Sequence, residues 1–298
     1  MRRIAVPRHP VSSRHALLDI EQFVAGEMTA AGLAVERHDF EYRGRRFNNV
    51  VGLRDGLAPS RPKLVVGAHF DSVSRSPGAD DNASGVAALL EIARVLRGAP
   101  LSAPVEFVGF NLEEVQHLVP PTYRIGSRAY VADLARRGVR VQGAFVLEMV
   151  GFTGPRQTIP AAVQLVKQVP RVGNFLAAVG DGASEPLLAA MERAARNVVP
   201  LVTLSVPLKG YLVPDTRRSD NARFWDAGIP ALMVTDTADL RNPNYHRASD
   251  TPETLDYDFL AATVSVVAGA VVEMSTEGTE GTEGTGGDGG SFKGVPSI

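Results

Sequence analysis

The chain has 298 residues, 44% of them hydrophobic, and a formal net charge of -2. That is apolar material for one large core or two modest ones, without the basic excess of a general nucleic-acid binder. Cysteine is absent, which excludes disulfides, thiolate metal clusters and a cysteine nucleophile, so any metal must be held by His, Asp and Glu.

In chain order, Leu17, Ile20, Phe23, Val24 and Met28 recur at helical spacing over residues 14–32, with Gly32 as a stop. Residues 34–42 and 47–53, joined by Arg43-Gly44-Arg45, read as an antiparallel pair. Strand 63–68, helix 82–96, strand 105–110 and strand 143–149 then alternate in an α/β pattern. A strand at 174–179, helix 185–197, strand 201–206, helix 220–226, strand 231–235 and closing helix 257–274 follow. The expected organisation is a single catalytic domain over 1–274, with 275–298, a run of Glu-Gly-Thr and Gly-Gly, as a disordered tail. No stretch approaches about 20 consecutive apolar residues, and the basic start MRRIAVPRHP leads into no apolar segment. A soluble chain is expected, without membrane or nucleic-acid partners: cytoplasmic, or secreted if a leader is missing.

The chemistry gathers at strand ends. Strand 63–68 runs into His69-Phe70-Asp71, where two polar side chains two apart in extended chain share one side and the carboxylate can orient the imidazole. Asp80-Asp81 opens the next helix; by itself that pair is explained equally well by capping. Glu113-Glu114 follows an apolar strand, where vicinal carboxylates are costly to bury unless a cation compensates. Glu148 ends another strand, and His246 lies in a loop before the last helix. Together these supply enough nitrogen and oxygen donors for two zinc ions, provided one carboxylate stays off the metal to take a proton from water.

The runs VVGAHFDSV, PGADDNASGVAALLEIARVL, FNLEE, LEMVGF, SDNARFWDAGIPALMVTDT and YHRASDTPETLDY, in this order, resemble the M28 family of zinc peptidases, the bacterial leucine-type aminopeptidases. The resemblance covers residues 6–274 and implies a three-layer α/β/α zinc-exopeptidase (phosphorylase/hydrolase-like) fold with a mixed central sheet. It also implies an aminopeptidase that cuts the first peptide bond of a peptide or aminoacyl substrate. In that family pattern His69 and Glu148 would be terminal ligands of one Zn2+, Glu114 and His246 of a second, and Asp81 the bridge. Glu113 would be the general base acting on the metal-bridging water, Asp71 would orient His69, Tyr245 would stabilise the oxyanion and Arg218 would bind substrate.

Three departures stand out. Glu148 replaces a frequent aspartate, Asn221 follows Ser219-Asp220 where the family often has His, and residues 115–125, with Pro120-Pro121, replace a short Gly-rich continuation. His117 within that segment is expected to be a loop residue rather than a ligand. Alternatives on the same fold are a glutaminyl-cyclase-like single-zinc acyltransferase and a non-catalytic binding module, which retention of the whole ligand set disfavours. A serine hydrolase is excluded because no Gly-x-Ser-x-Gly elbow occurs.

Overall fold

The computed structural model describes residues 1–114, 117–118 and 121–276, with 117, 118 and 121 described by their backbone alone. Helix α1 (Arg14–Ala30) leads into a hairpin of β1 (Ala34–Tyr42) and β2 (Arg45–Arg54). Its turn is shorter than expected, because Arg43 and Gly44 both adopt positive φ and close it in two residues. Then come β3 (Lys63–His69), α2 (Gly85–Val95), β4 (Val105–Phe110), the two-residue strands β5 (His117–Leu118) and β6 (Pro121–Thr122), α3 (Ile125–Arg136) and β7 (Val141–Glu148). The single-turn α4 (Ala161–Gln164), β8 (Leu176–Asp181), α5 (Glu185–Ala194), β9 (Leu201–Val206), α6 (Asn221–Asp226), β10 (Ala231–Thr235) and α7 (Tyr257–Thr276) complete the order.

Eight strands form one mixed sheet in the order β1-β2-β4-β3-β7-β10-β8-β9. The central run β4, β3, β7 and β10 is parallel, whereas β2 on β4 and β8 on β10 are antiparallel. Strand alternation divides the core in two. Leu64, Val66, Phe145 and Leu147 face a cluster shared with α1, α2, α5 and α7, while Val65, Ala144 and Val146 face one shared with α3 and α6. Three α/β/α layers result, as the resemblance implied. Each wholly buried phenylalanine such as Phe107 or Phe145 contributes about 1.5–3 kcal/mol by leaving water.

Further expectations need correction. α3 was not anticipated; its buried stripe of Ile125, Tyr130, Val131 and Leu134 is interleaved with Arg128, Arg136 and Gly126, which conceal the period. α2 begins at Gly85 rather than Asn82, because Asp81 and Asn82 have non-helical φ/ψ and residues 79–84 form an irregular turn. The closing helix reaches Thr276, past the expected boundary at Met274, and the remainder of the expected tail, 277–298, lies outside the described residues.

Helix α7, 20 residues long, is apolar enough by length and composition to cross a membrane, with mean hydropathy 1.7 over an 18-residue window, contrary to the expectation that no segment approaches this. Its buried face, including Val264, Val267 and Val271, belongs to the core cluster shared with α2 and α5, which accounts for its hydrophobicity as that of an internal helix.

Candidate metal centre

The parallel strands β4, β3, β7 and β10 deliver their carboxyl ends to one edge of the sheet, where ligands of open α/β sheets bind. His69 is the last residue of β3 and Glu148 the last of β7, while Glu113 and Glu114 follow β4 after two residues. Asp81 stands on the irregular turn before α2, and so comes from a loop rather than from a strand; its peptide to Asn82 is cis. His246 lies in the loop between β10 and α7. Leu112 (57°) and Met149 (50°), each next to a candidate ligand or base, and His246 itself (60°) have positive φ. Left-handed backbone at a residue with a Cβ costs about 1–2 kcal/mol, so the fold holds these turns against local preference.

Buried polar side chains fasten the loops to each other. Asp71 accepts the backbone N–H of Glu113 at 3.0 Å and of Glu114 at 3.2 Å, one on each carboxylate oxygen. Asp250 treats the other acidic pair alike, accepting the N–H of Asp80 at 2.9 Å and of Asp81 at 3.1 Å. Asn82 donates to Leu147 O at 2.8 Å and accepts from the N–H of Met149 at 2.9 Å, splicing the Asp81 turn to the end of β7 that carries Glu148. Asp80 caps no helix. Its carboxylate accepts from Gly151 N–H at 3.0 Å and from the Asn242 amide at 2.7 Å, joining the turn to the His246 loop. Asp80 is driven well above the usual carboxylate range by burial and by the facing Asp236.

Arg8 lies under this assembly and is fully buried. Its guanidinium donates to five backbone carbonyls: Phe70 and Pro77 at 2.6 Å, Gly78 at 3.0 Å, Val6 at 3.1 Å and Ile4 at 3.2 Å. The first ten residues are thereby strapped to the loop between His69 and Asp81. Burial lowers the guanidinium pKa to about 10, against the opposing pull of Asp81, Asp71, Asp250 and Glu114.

The candidate ligands meet in two trios that share Asp81: His69, Asp81 and Glu148, and Asp81, Glu114 and His246. His69 Nε2 lies 3.4 Å from both Asp81 Oδ1 and Glu148 Oε2; His246 Nε2 lies 3.1 Å from Asp81 Oδ2 and 3.4 Å from Glu114 Oε2. Among the described residues, neither ring nitrogen of the buried His69 has a hydrogen-bond partner. Two ligands each about 2.05 Å from a tetrahedral zinc are separated by roughly 3.3 Å, so these spacings, mostly long for hydrogen bonds, match the edges of a zinc coordination polyhedron.

Electrostatics agree with that fit. Burial pushes Glu113 well above its ordinary range, an effect opposed by His69 and reinforced by Glu148, Asp220 and Glu114. Glu114 rises to about 7 through burial and the charge of Asp81. Burial would lower His246, but Asp81 and Glu114 raise it to about 10. Burial alone would raise Asp81, yet its contacts with His246 and His69 hold it below the usual carboxylate range. Without cations the cluster keeps its charges tolerable by retaining protons, which divalent ions would replace.

The remaining sequence-selected residues also converge here. Asp71 Oδ1 lies 3.5 Å from His69 Nδ1. Tyr245 stacks on His246 with ring centroids 3.7 Å apart, and its hydroxyl accepts from Arg218 Nη2 at 3.2 Å. Arg218 also donates to Asp239 at 2.8 Å. Asn221, which departs from the family pattern, donates to Thr216 O at 3.0 Å and has a loop-closing contact. His117, expected in a loop, instead opens the two-residue strand β5, and its side chain lies outside the described residues. Sequence reasoning missed Ser219, whose hydroxyl donates to Glu148 Oε2 at 2.6 Å, and the fully buried Asp220, which burial raises to about 6. It also missed Asp250, Asn82 and Arg8. Asp250 stood inside the quoted run YHRASDTPETLDY, so its signal was available; nothing local distinguishes Arg8 from the basic residues around it.

A sequence model described as peptidase family M28 matches residues 49–271. The chain is 32% identical over 262 residues to the uncharacterized protein YfbL of Escherichia coli (strain K12), covering 83% of this chain and 77% of that one. It is 29% identical over 231 residues to aminopeptidase YwaD of Bacillus subtilis (strain 168), covering 76% of this chain but only 44% of the relative. Among solved structures, LapB from Legionella pneumophila superposes with a TM-score of 0.71 at 21% identity, over 92% of this chain and 70% of that one.

Proposed function

The chain belongs to peptidase family M28, and from that premise we propose that it is a zinc-dependent aminopeptidase whose two ions are held by His69, Glu148, Asp81, Glu114 and His246. The observation that carries this reading is the pair of donor trios at zinc-like spacings hinged on Asp81. Residues 1–274 would act as a single catalytic domain.

Zinc supplies Lewis acidity, polarising the scissile carbonyl and lowering the pKa of bound water. The chain's own groups do the rest. Glu113 takes the proton of the attacking water on its carboxylate and returns it to the leaving amine nitrogen; burial, which raises its affinity for a proton, suits it to both halves of the cycle. Asp71 sets the position of that carboxylate through the two amides it binds, and faces the ring of His69. Tyr245 has its hydroxyl oxygen occupied by the Arg218 donor, which leaves the phenolic proton for the oxygen of the scissile carbonyl. Arg218 is anchored by Asp239 and stands beside Tyr245 to meet the substrate backbone. The free α-amine of the substrate is held by Glu113 and Glu148, which is what favours amino-terminal trimming. Ser219 fixes the orientation of Glu148.

Two measurements test the reading. Zinc-loaded protein is expected to hydrolyse aminoacyl anilides in preference to amino-blocked peptides or amino-terminal glutaminyl substrates; exclusive turnover of the glutaminyl compounds would instead establish the single-zinc cyclase alternative. Glu113→Gln should retain both metals by mass spectrometry and lose on the order of a thousandfold or more in kcat. Near-parental activity of that variant would remove Glu113 from its role as base.

A further inference from the structure

A cavity of about 950 Å³, counting its open mouth, adjoins the metal centre and reaches away from it along the sheet. Strand register explains its shape. Glu148 on β7 is paired with Thr235 on β10, Thr235 with Ala177 on β8, and Ala177 with Val202 on β9. A parallel row of Met233, Val179 and Leu204 lies two residues further down the same strands. All six side chains of β10, β8 and β9 line the cavity, as does Glu148. With strands about 4.8 Å apart, the floor extends roughly 14 Å from the column of Glu148 to that of Val202.

The space exists because the second helical layer stops short. On this face α3 and α6 cover the middle of the sheet, while β8 and β9 are roofed instead by residues 157–169 and 213–216. Helix α4, in that roof, buries none of its residues. The floor is apolar apart from Thr235, whose hydroxyl already accepts from Thr237 N–H at 2.9 Å. Its midpoint is Ala177, the smallest side chain in the rows. Apart from Glu148 at the metal-site end, charges stand among the lining residues in both signs, Lys167 and Arg218 against Asp215 and Asp239, and Arg218 lies within ion-pair distance of both aspartates. Such a surface offers a charged side chain no net attraction, and water gains few partners on it.

We propose that this cavity receives the side chain of the residue whose peptide bond is cut, and that its reach past Ala177 gives a preference for aromatic side chains over leucine and alanine. The proposal rests on the aminopeptidase reading above. A leucine side chain branches and ends over Thr235 and Ala177, leaving the β9 half unfilled. An aromatic ring continues across Ala177 toward Val202 and Leu204, and buries correspondingly more apolar surface. Acidic and basic side chains should be poor because they would lose hydration over an apolar floor.

The test is kcat/KM of the full zinc-loaded chain on L-aminoacyl p-nitroanilides bearing Phe, Tyr, Leu, Ala, Glu and Lys. Phe should exceed Leu by about fivefold and Ala by on the order of a hundredfold, in proportion to the extra apolar surface each side chain buries. Ala177→Leu places its side chain on the path and should cut the Phe:Ala ratio by at least about tenfold. Should that variant fold poorly by circular dichroism, Ala177→Val should move the ratio in the same direction by a smaller factor. A parent enzyme that cleaves anilides but favours Leu or Ala over Phe overturns the pocket assignment and leaves the aminopeptidase intact, as does an unchanged ratio in a folded Ala177 variant. Absence of turnover on every anilide overturns both.

Discussion

Replacing Arg8 with Met removes five hydrogen bonds and one buried charge from beneath the metal centre, and the two losses have opposite signs. Of the five carbonyls, those of Ile4 and Gly78 keep a backbone donor, Val6 N–H at 2.7 Å and Ala83 N–H at 3.1 Å, whereas those of Phe70, Pro77 and Val6 have Arg8 as their donor and clamp. A buried carbonyl stripped of its donor costs about 1–3 kcal/mol, so these three alone amount to about 3–9 kcal/mol. Against this, burial, net of the nearby acids, has lowered the Arg8 pKa from 12.5 to about 10, and at about 1.4 kcal/mol per unit Met spares the fold about 3 kcal/mol of net charge-burial cost. The net expectation is a destabilisation of about 3 kcal/mol, a large share of the 5–15 kcal/mol that holds a typical domain together. Trp225, the single tryptophan and wholly buried, reports unfolding in urea, where the midpoint should fall while the slope is retained. Arg8→Lys keeps the charge but offers three donors from one point, and should recover less than half of the loss. A Met variant within about 0.5 kcal/mol of the parent, or full rescue by Lys, would refute the clamp, the latter assigning Arg8 a purely electrostatic effect.

Two further outcomes are expected. Asp71→Asn must turn an NH2 group toward the N–H of either Glu113 or Glu114, since each carboxylate oxygen now accepts one of them. Zinc affinity measured by chelator competition should weaken about 10–100-fold with the circular dichroism preserved; a change under threefold would mean that Asp71 does not position the site. The second concerns pH. Burial lowers the pKa of His38, whose Nδ1 lies 3.1 Å from the Asn49 side-chain amide; neutral Nδ1 can accept that N–H and a protonated ring cannot. Because the folded pKa lies below the unfolded value of about 6.5, His38 contributes stability above that pH and loses it as pH falls through the lowered value. Urea midpoints of the parent and of His38→Gln should therefore converge on moving from pH 7.5 to 5.5, and a gap that widens would contradict the assignment.

The apolar strands β3, β4 and β7 were readable because each is a short hydrophobic run that stops at a chemical residue, and a strand buried on both faces has no other way to look. Glu113 and Glu114 stood out for a physical reason, the cost of paired acids beside an apolar strand. Asp81 did not: a capping role explained it equally well until the irregular turn at 79–84 turned its carboxylate toward two histidines. His246 had no local signal and was selected through its surrounding motif. The fasteners were the least legible. Asn82, Asp250 and Arg8 act on backbone groups tens of residues away, at Leu147, Asp80 and Phe70, and no local pattern encodes a partner so distant. The cavity was hidden for a related reason, since its floor depends on which strands become neighbours.

The order in which the chain contributes its ligands bears on its life before folding is complete. His69 and Asp81 emerge early, Glu114 and Glu148 later, and His246 only after β10 has been made, yet both donor trios depend on Asp81 and one of them on His246. A nascent or truncated polypeptide ending before that histidine lacks one member of the second candidate trio, and on the proposed reading lacks the equipment to cut peptides around it. On that reading, topology thus postpones hydrolytic competence until His246 has been made.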